Sequence, residues 1–187
     1  GSELEKATMS FASGSNLEGY EDIATYNRGR SLLEAEQFED ASNVFSEAIE
    51  MSENSDIIAN SWYNKGNISL MNSDPSSAID AYKSALRNNP NFPEARHNLA
   101  NAYRMVGRTE QALRMRQDIY SGYVKLLGEE HERTIRSAHN YVNLLLDLRR
   151  IEEAKSLLSK TIPVARRVFG ACNDTTLRMR MNYATTL

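Results

Sequence analysis

The stretch from residue 59 to residue 90 constrains the fold more than any other part of the chain. It places bulky, small and helix-ending residues at fixed distances from one another, and these are Trp62, Gly66, Ala78, Tyr82, Ala85 and Pro90. Gly66 and Ala78 are small enough for two helix axes to approach closely. The tyrosine and the alanine after it lie about one turn apart, so they share one face of a second helix. Pro90 cannot continue that helix. The stretch therefore predicts two short antiparallel helices that pack as one unit.

This pattern resembles the tetratricopeptide repeat (TPR), a helix–turn–helix unit of about 34 residues. The resemblance implies an all-α fold, a right-handed TPR solenoid of antiparallel helix pairs, in which the first helix of each repeat lines a concave groove. Copies of the pattern predict four full repeats plus one truncated repeat, at about residues 22–55, 59–92, 93–127, 135–169 and 176–187. In repeat three, Gly107 is expected to keep the place of a small pattern residue.

The first two repeats are not evenly spaced. Gly29 and Gly66 are 37 residues apart, about three more than the standard period. The surplus falls within residues 52–56, so we expect the second helix of repeat one, or the loop after it, to be longer.

From about residue 120 the period lengthens. After 42 positions, Leu127-Gly128 recurs as Phe169-Gly170, and Thr134, Asn140, Tyr141 and Leu145 recur as Thr176, Asn182, Tyr183 and Leu187. This part resembles the 42-residue repeats of kinesin light chains, in which an LG-x2-H-x-x-T joint connects a long second helix to the next repeat. The joints here are LGEEHERT and FGACNDTT, of which the second lacks the histidine. We assign residues 20–119 to the shorter type and residues 120–187 to the longer type, with the second helix of repeat three continuing to about Leu127.

The two ends of the chain carry separate expectations. Residues 1–19 mix Ser, Gly and charged residues, which indicates a tag and flexible linker. The last repeat stops at Leu187 after its first helix, which indicates either a truncated array or an open end that pairs with a second copy as a homo-oligomer. No apolar run approaches the ~20 residues that span a bilayer. The single cysteine, Cys172, requires no oxidising compartment and is expected to be a free thiol. These features favour a cytoplasmic protein without membrane insertion.

Charge is unevenly distributed along the chain. Residues 1–59 carry 3 Lys/Arg against 13 Asp/Glu, and residues 60–187 carry 19 against 12. The asymmetry either steers charged partners or reflects solvated helix faces. The basic run from Arg96 to Lys125 includes acidic residues and lacks an aromatic stacking platform, so we expect no nucleic-acid partner.

Aligning the repeats places one residue type at the same position of all five first helices. The sixth position is asparagine throughout: Asn27, Asn64, Asn98, Asn140 and Asn182. The ninth position holds Arg30, Asn67, Asn101, Asn143 and Thr185, and the fifth holds Tyr26, Tyr63, His97, His139 and Met181. An asparagine amide offers two donors and a carbonyl acceptor, which match a peptide unit. The column predicts a groove that holds an extended peptide largely regardless of its sequence.

The asparagine column resembles the ladder that lines the repeat superhelix of O-linked N-acetylglucosamine transferase, and the run NFPEARHNLANAY is similar to that family's repeats. We therefore predict a non-catalytic protein–protein interaction scaffold or adaptor that binds a peptide segment of a partner. Two alternatives stay open: the substrate-recruiting arm of a larger enzyme such as a glycosyltransferase, and a scaffold that self-assembles through its C-terminal end.

A carboxylate clamp like that of tetratricopeptide co-chaperones fits less well. The best alignment matches Asn67, Asn98 and Arg136 to the clamp residues, which leaves Arg136 as a further candidate in the groove. Tyr63 and Asn140 replace the clamp's Lys and Arg, and without those cations a carboxylate has little to hold it.

Catalytic and metal-binding signals are absent from the sequence. It contains no P-loop, dinucleotide fingerprint or nucleophile elbow. His97 and His139 occupy equivalent places one repeat apart, roughly 10 Å by the packing distance of helices. One metal ion cannot bridge that distance, so no metal or cofactor is expected.

Overall fold

The computed structural model describes residues 20–187, so the predicted tag and linker, residues 1–19, lies outside the described residues. All regular structure in the described part is helical. The helices are α1 Glu21–Glu34, α2 Phe38–Met51, α3 Ser55–Met71, α4 Pro75–Asn88, α5 Pro93–Met105, α6 Thr109–Leu127, α7 Glu132–Asp147, α8 Ile151–Phe169 and α9 Asp174–Ala184. None of them is both long and apolar enough to cross a membrane.

The described residues divide into two compact units, one that ends at Ala102 and one that spans Tyr103–Leu187. In the first unit, α1 packs on α2, α2 on α3 and α3 on α4, and α1 also touches α3. In the second unit, α6 packs on α7, α7 on α8 and α8 on α9, and α7 also touches α9. In the pairs α1–α2, α3–α4 and α7–α8, a first helix therefore contacts its own second helix, and α1 and α7 also contact the first helix of the next repeat. This arrangement of helix pairs is an all-α TPR solenoid.

The turn between the two helices of a repeat has the same conformation four times. One residue in each turn has a positive φ: Glu36 at 58°, Ser73 at 58°, Gly107 at 73° and Arg149 at 57°. In the first turn, the Glu36 N–H donates to the Leu33 carbonyl and the Gln37 N–H donates to the Leu32 carbonyl. The other three turns repeat this pair of hydrogen bonds, which defines the Schellman motif that ends helices.

Gly107 does not have the role expected for it in repeat three. It is the turn residue with positive φ, and a Cβ atom there would meet nothing within 4 Å. A Cβ atom on Gly66, in contrast, would lie 2.5 Å from Cε1 of Tyr82. The residue of repeat three that matches Gly66 is Ala100, because each follows the aligned asparagine by two positions.

The surplus residues between the first two repeats also lie elsewhere than expected. The second helices α2 and α4 have the same length, 14 residues, so the predicted lengthening of α2 is wrong. The loop after α2 is no longer than its neighbours, because α3 begins at Ser55. The first helix α3 has 17 residues, and its start is capped by the Asn54 side chain, which accepts from the Asp56 N–H at 2.9 Å. The extra turn therefore extends a first helix.

The later second helices are longer, as predicted. Both α6 and α8 have 19 residues, and α6 ends at Leu127. Their C-terminal residues are followed by Gly128 and Gly170, which both have positive φ. These glycines end the long helices and begin the joints to α7 and α9.

Candidate functional site

The predicted site residues all lie on the first helices α1, α3, α5, α7 and α9. The five asparagines of the sixth position are half-buried, and Arg30 and Arg136 are exposed. Arg30 pairs with Glu34, and Arg136 pairs with Glu132 one turn earlier at 2.7 Å. His97 and Asn101 are half-buried and each has an interaction partner.

In the first unit, tyrosines and asparagines of neighbouring first helices are joined by hydrogen bonds. The Asn64 amide on α3 donates to the Tyr26 hydroxyl on α1 at 3.4 Å. The Asn98 amide on α5 donates to the Tyr63 hydroxyl on α3 at 3.3 Å. The same pairing thus occurs twice, between a fifth position and the sixth position one repeat later.

Asn67 connects this row of hydrogen-bonded tyrosines and asparagines to the core of the first unit. Its Oδ1 accepts from the Asn98 amide at 3.0 Å and from the Tyr82 hydroxyl at 2.8 Å. The Tyr82 side chain is fully buried, and burial raises its pKa. The phenol therefore stays neutral and acts as a donor. A core residue of the second helix α4 thereby fixes the orientation of an amide on the candidate site.

In the second unit, the contact is between two asparagines. The Asn182 amide on α9 donates to Oδ1 of Asn143 on α7 at 2.7 Å. Nδ2 of Asn143 lies 3.4 Å from Nε2 of His139, one turn earlier. Burial lowers the pKa of His139, and the charge of Arg178 lowers it further, while Asp174 opposes both. At neutral pH the imidazole is uncharged and accepts from Asn143.

These hydrogen bonds change the expected role of the asparagines. The sequence predicts side chains directed at a ligand and away from the contacts between helices. The structure shows Asn64, Asn98 and Asn182 bonded across to the preceding first helix. Among the described residues, Asn27 and Asn140 are the sixth-position asparagines whose amides make no hydrogen bond within the chain. The sequence signal for the cross-helix bonds was the joint presence of Tyr at position five and Asn at position six.

Metal and thiol chemistry find no support at this site. Within residues 20–187 no group of three or more His, Cys, Asp or Glu side chains is placed to hold a metal ion. Cys172 is exposed and unpaired, in the joint before α9.

Comparison with known proteins identifies the family. Two family models, both described as tetratricopeptide repeat, match residues 92–167 and residues 26–93 together with 63–115. The chain belongs to the tetratricopeptide-repeat family. Repeats of this kind form protein–protein interaction scaffolds, and their proteins are typically non-catalytic. A comparison with curated proteins finds no match at a significant level.

Solved structures of the same fold include kinesin light chain-like proteins. BtubC (BKLC) from P. vanneervenii is 14% identical, with a TM-score of 0.75 over 100% of this chain and 84% of that chain. A Podosopora anserina kinesin light chain-like protein with nearly identical TPR-like repeats is 15% identical, with a TM-score of 0.71 over 88% and 84% of the two chains. YrrB, described as a TPR protein with an unusual peptide-binding site, is 16% identical, with a TM-score of 0.66 over 96% and 93%. These identities establish a shared fold.

Proposed function

We propose that the protein is an interaction scaffold that binds an extended peptide segment of a partner along the first helices of its repeats. The observation that carries this proposal is the asparagine at the sixth position of every first helix. Asparagine is a poor helix former, so helix stability does not explain its repetition. Its amide can pair with both the N–H and the C=O of a peptide unit. The peptide-binding site of the fold relative YrrB supports the same class of ligand.

The intramolecular hydrogen bonds sort the asparagines into two groups. The Nδ2 of Asn98 donates to Tyr63 and Asn67, so Asn98 orients these side chains and would offer only its Oδ1 to a ligand. Asn27 in the first unit and Asn140 in the second keep whole amides available, because neither hydrogen-bonds within the described chain. Asn27 and Asn140 are therefore the residues whose loss weakens binding without weakening the fold.

The proposal is tested with a random peptide library displayed on phage. Peptides selected on the wild-type chain are synthesised with a fluorophore, and their affinity is measured by fluorescence anisotropy for each variant. We expect Asn27→Ala or Asn140→Ala to weaken the peptides bound at its unit by about 2- to 13-fold, which corresponds to one lost hydrogen bond of roughly 0.5–1.5 kcal/mol. The melting temperature of these two variants should stay the same or rise, since Ala is the better helix former.

Two further variants make the outcome decisive. Asn43→Ala removes an exposed asparagine from the second helix α2, so it should leave the affinity unchanged and the melting temperature the same or higher. Asn98→Ala should lower the melting temperature, because it breaks two hydrogen bonds between α3 and α5. If the selected peptides bind Asn27→Ala and Asn140→Ala as tightly as the wild-type chain, the binding surface lies elsewhere. The basic outer face around Arg114 would be the next surface to test.

A second candidate function is self-association, favoured by exposed apolar side chains on α9 and at Leu187 after it. Leu177, Met181 and Leu187 are 42%, 68% and 84% exposed. The two units also have opposite charge, with 6 Lys/Arg against 13 Asp/Glu in residues 20–102 and 15 against 9 in residues 103–187. Opposite charges favour contact between the second unit of one copy and the first unit of another. Light scattering should then show a mass that rises with concentration and falls in high salt, and a monomeric mass throughout would exclude this candidate.

A further inference from the structure

A small cavity lies in the second unit, away from the residues of the proposed peptide site. Its volume is about 120 Å³. It opens where the C-terminal half of α6, the joint before α7 and the helix α8 meet, and its lining includes Tyr120, Glu129, Thr134, Ile135, Lys160 and Thr161. A space of this size holds roughly four water molecules, or one very small organic molecule.

Thr134 makes the cavity unusual. Its side chain is 2% exposed, and its Oγ1 is buried without a hydrogen-bond partner in the described chain. Leaving a buried hydroxyl unpaired is unfavourable, and native proteins nearly always supply a partner. Because Thr134 lines the cavity, we take a molecule bound there as the candidate partner of this hydroxyl.

The next repeat offers an internal comparison. Thr176 is equivalent to Thr134, since the two are 42 residues apart, and its Oγ1 donates to the Ala165 carbonyl at 3.4 Å. At the same spacing, Ile162 stands in place of Tyr120 and Ala171 in place of Glu129. Two lining positions that are polar beside Thr134 are therefore apolar in the next repeat.

Charges of both signs line this cavity. Glu129 and Lys160 are exposed at its edge, and neither forms an ion pair with any residue in the described part of the chain. Burial raises the pKa of Tyr120, and the negative charge of Glu129 raises it further. The phenol is thus neutral, and its ring stacks on Tyr141 with the centroids 6.3 Å apart. The lining offers an ammonium group, a carboxylate and neutral hydroxyls within one small space.

We propose that this cavity binds a small zwitterionic α-amino acid of the size of glycine or alanine. The carboxylate of the ligand would pair with the Lys160 ammonium and accept from the Thr134 hydroxyl, and its ammonium would donate to the Glu129 carboxylate. Each charged group of the ligand then meets its opposite, and the buried hydroxyl gains the partner it lacks. The volume excludes amino acids with large side chains.

The test is an NMR titration of the full chain, observed through its backbone amides, with glycine, L-alanine and L-leucine as separate ligands. Glycine and L-alanine should produce saturable shifts at residues around Thr134 and Lys160, with a Kd of about a millimolar or below. L-leucine, acetate and methylammonium should each bind at least about tenfold more weakly. Thr134→Val, which keeps the shape and removes the hydroxyl, should weaken glycine binding by about tenfold or more.

A matched control and a second variant keep the result interpretable. Thr176→Val makes the same change one repeat later and should leave glycine binding unaltered. If Thr134→Val fails to fold, the double variant Tyr120→Ile with Glu129→Ala copies the residues of the next joint and should abolish binding. The proposal is overturned by the absence of saturable shifts, by acetate or L-leucine binding as tightly as glycine, or by wild-type affinity in the variants of this cavity.

Discussion

The two units build the contact between the helices of a repeat from different side chains. In the first unit, Gly29 and Gly66 leave space that the rings of Phe45 and Tyr82 occupy, since a Cβ on either glycine would lie under 3 Å from the ring. In the second unit, the positions equivalent to Gly66 and Tyr82 hold Val142 and Leu158, both fully buried. At this pair of positions the first unit thus has a glycine and an aromatic ring, and the second unit has a valine and a leucine.

The difference indicates that the repeat restricts the combined size of the two side chains at this pair of positions. Close packing leaves no spare volume, so a large residue on one helix requires a small one on the other. The glycine pair has a further consequence, because the Tyr82 ring reaches across α3 and its hydroxyl contacts Asn67 of the candidate site. The core of the first unit is therefore coupled to the row of hydrogen-bonded side chains that includes Asn67. In the second unit, the equivalent residue Leu158 has no hydroxyl to make this contact. There, the hydrogen bond between Asn143 and Asn182 joins the first helices α7 and α9.

Gly66→Ala should have the largest effect on this comparison. The new Cβ would lie 2.5, 2.7 and 2.9 Å from three ring atoms of Tyr82, a ring that is fully buried and cannot move aside freely. Overpacking of this kind typically costs about 1–3 kcal/mol, even though Ala is the better helix former. Urea denaturation followed by circular dichroism measures the free energy of unfolding.

The second unit contains the matched control for this change. Gly122 lies within α6, and a Cβ there would meet nothing within 4 Å. Gly122→Ala should therefore raise the free energy of unfolding by up to about 1 kcal/mol. If both alanine variants shift it in the same direction, the contact between Gly66 and Tyr82 does not limit the packing of the first unit.

Tyr82→Phe should have an intermediate effect. It removes the hydrogen bond to Asn67 and keeps the ring, so we expect a loss of about 1 kcal/mol. Tyr141→Phe on α7 is the control in the second unit, where the tyrosine is buried but its hydroxyl makes no hydrogen bond within the described residues. That change should stay within about 0.5 kcal/mol of the wild-type value. Equal losses in the two variants would contradict the coupling of core and row in the first unit.

The sequence predicted the helix pairs because the signals for them are local. Gly66, Ala78 and Tyr82 belong to one helix–turn–helix, and their spacing alone brings them together. The start of α3 was also predictable, because Asn54 precedes an acidic first turn as a helix cap does. The spacing of the two glycines instead indicated a longer second helix or loop. Local signals of this kind carry most of the fold.

The partners of the asparagines were not predictable in the same way. The sequence of one repeat determines which face of α5 carries Asn98. Whether its amide reaches Tyr63 or Asn67 depends on the distance between two first helices, which packing across repeats decides. The cavity beside Thr134 was not predictable for the same reason, because its lining comes from three helices and a joint.

The smallest expected effect concerns pH and His139 of the second unit, at the position that Tyr26 and Tyr63 occupy in the first. Burial and Arg178 lower the pKa of His139 in the folded chain, while in the unfolded chain it stays near 6.5. Below about pH 6.5 the unfolded state therefore binds more protons, and stability falls as the pH falls. Melting temperatures at pH 7.5 and 5.5 should show a smaller drop for His139→Gln than for the wild-type chain. Tyr63→Phe, which changes the matching position of the first unit, should keep the wild-type drop. Parallel pH curves for His139→Gln and the wild-type chain would mean that His139 is protonated as easily when folded as when unfolded.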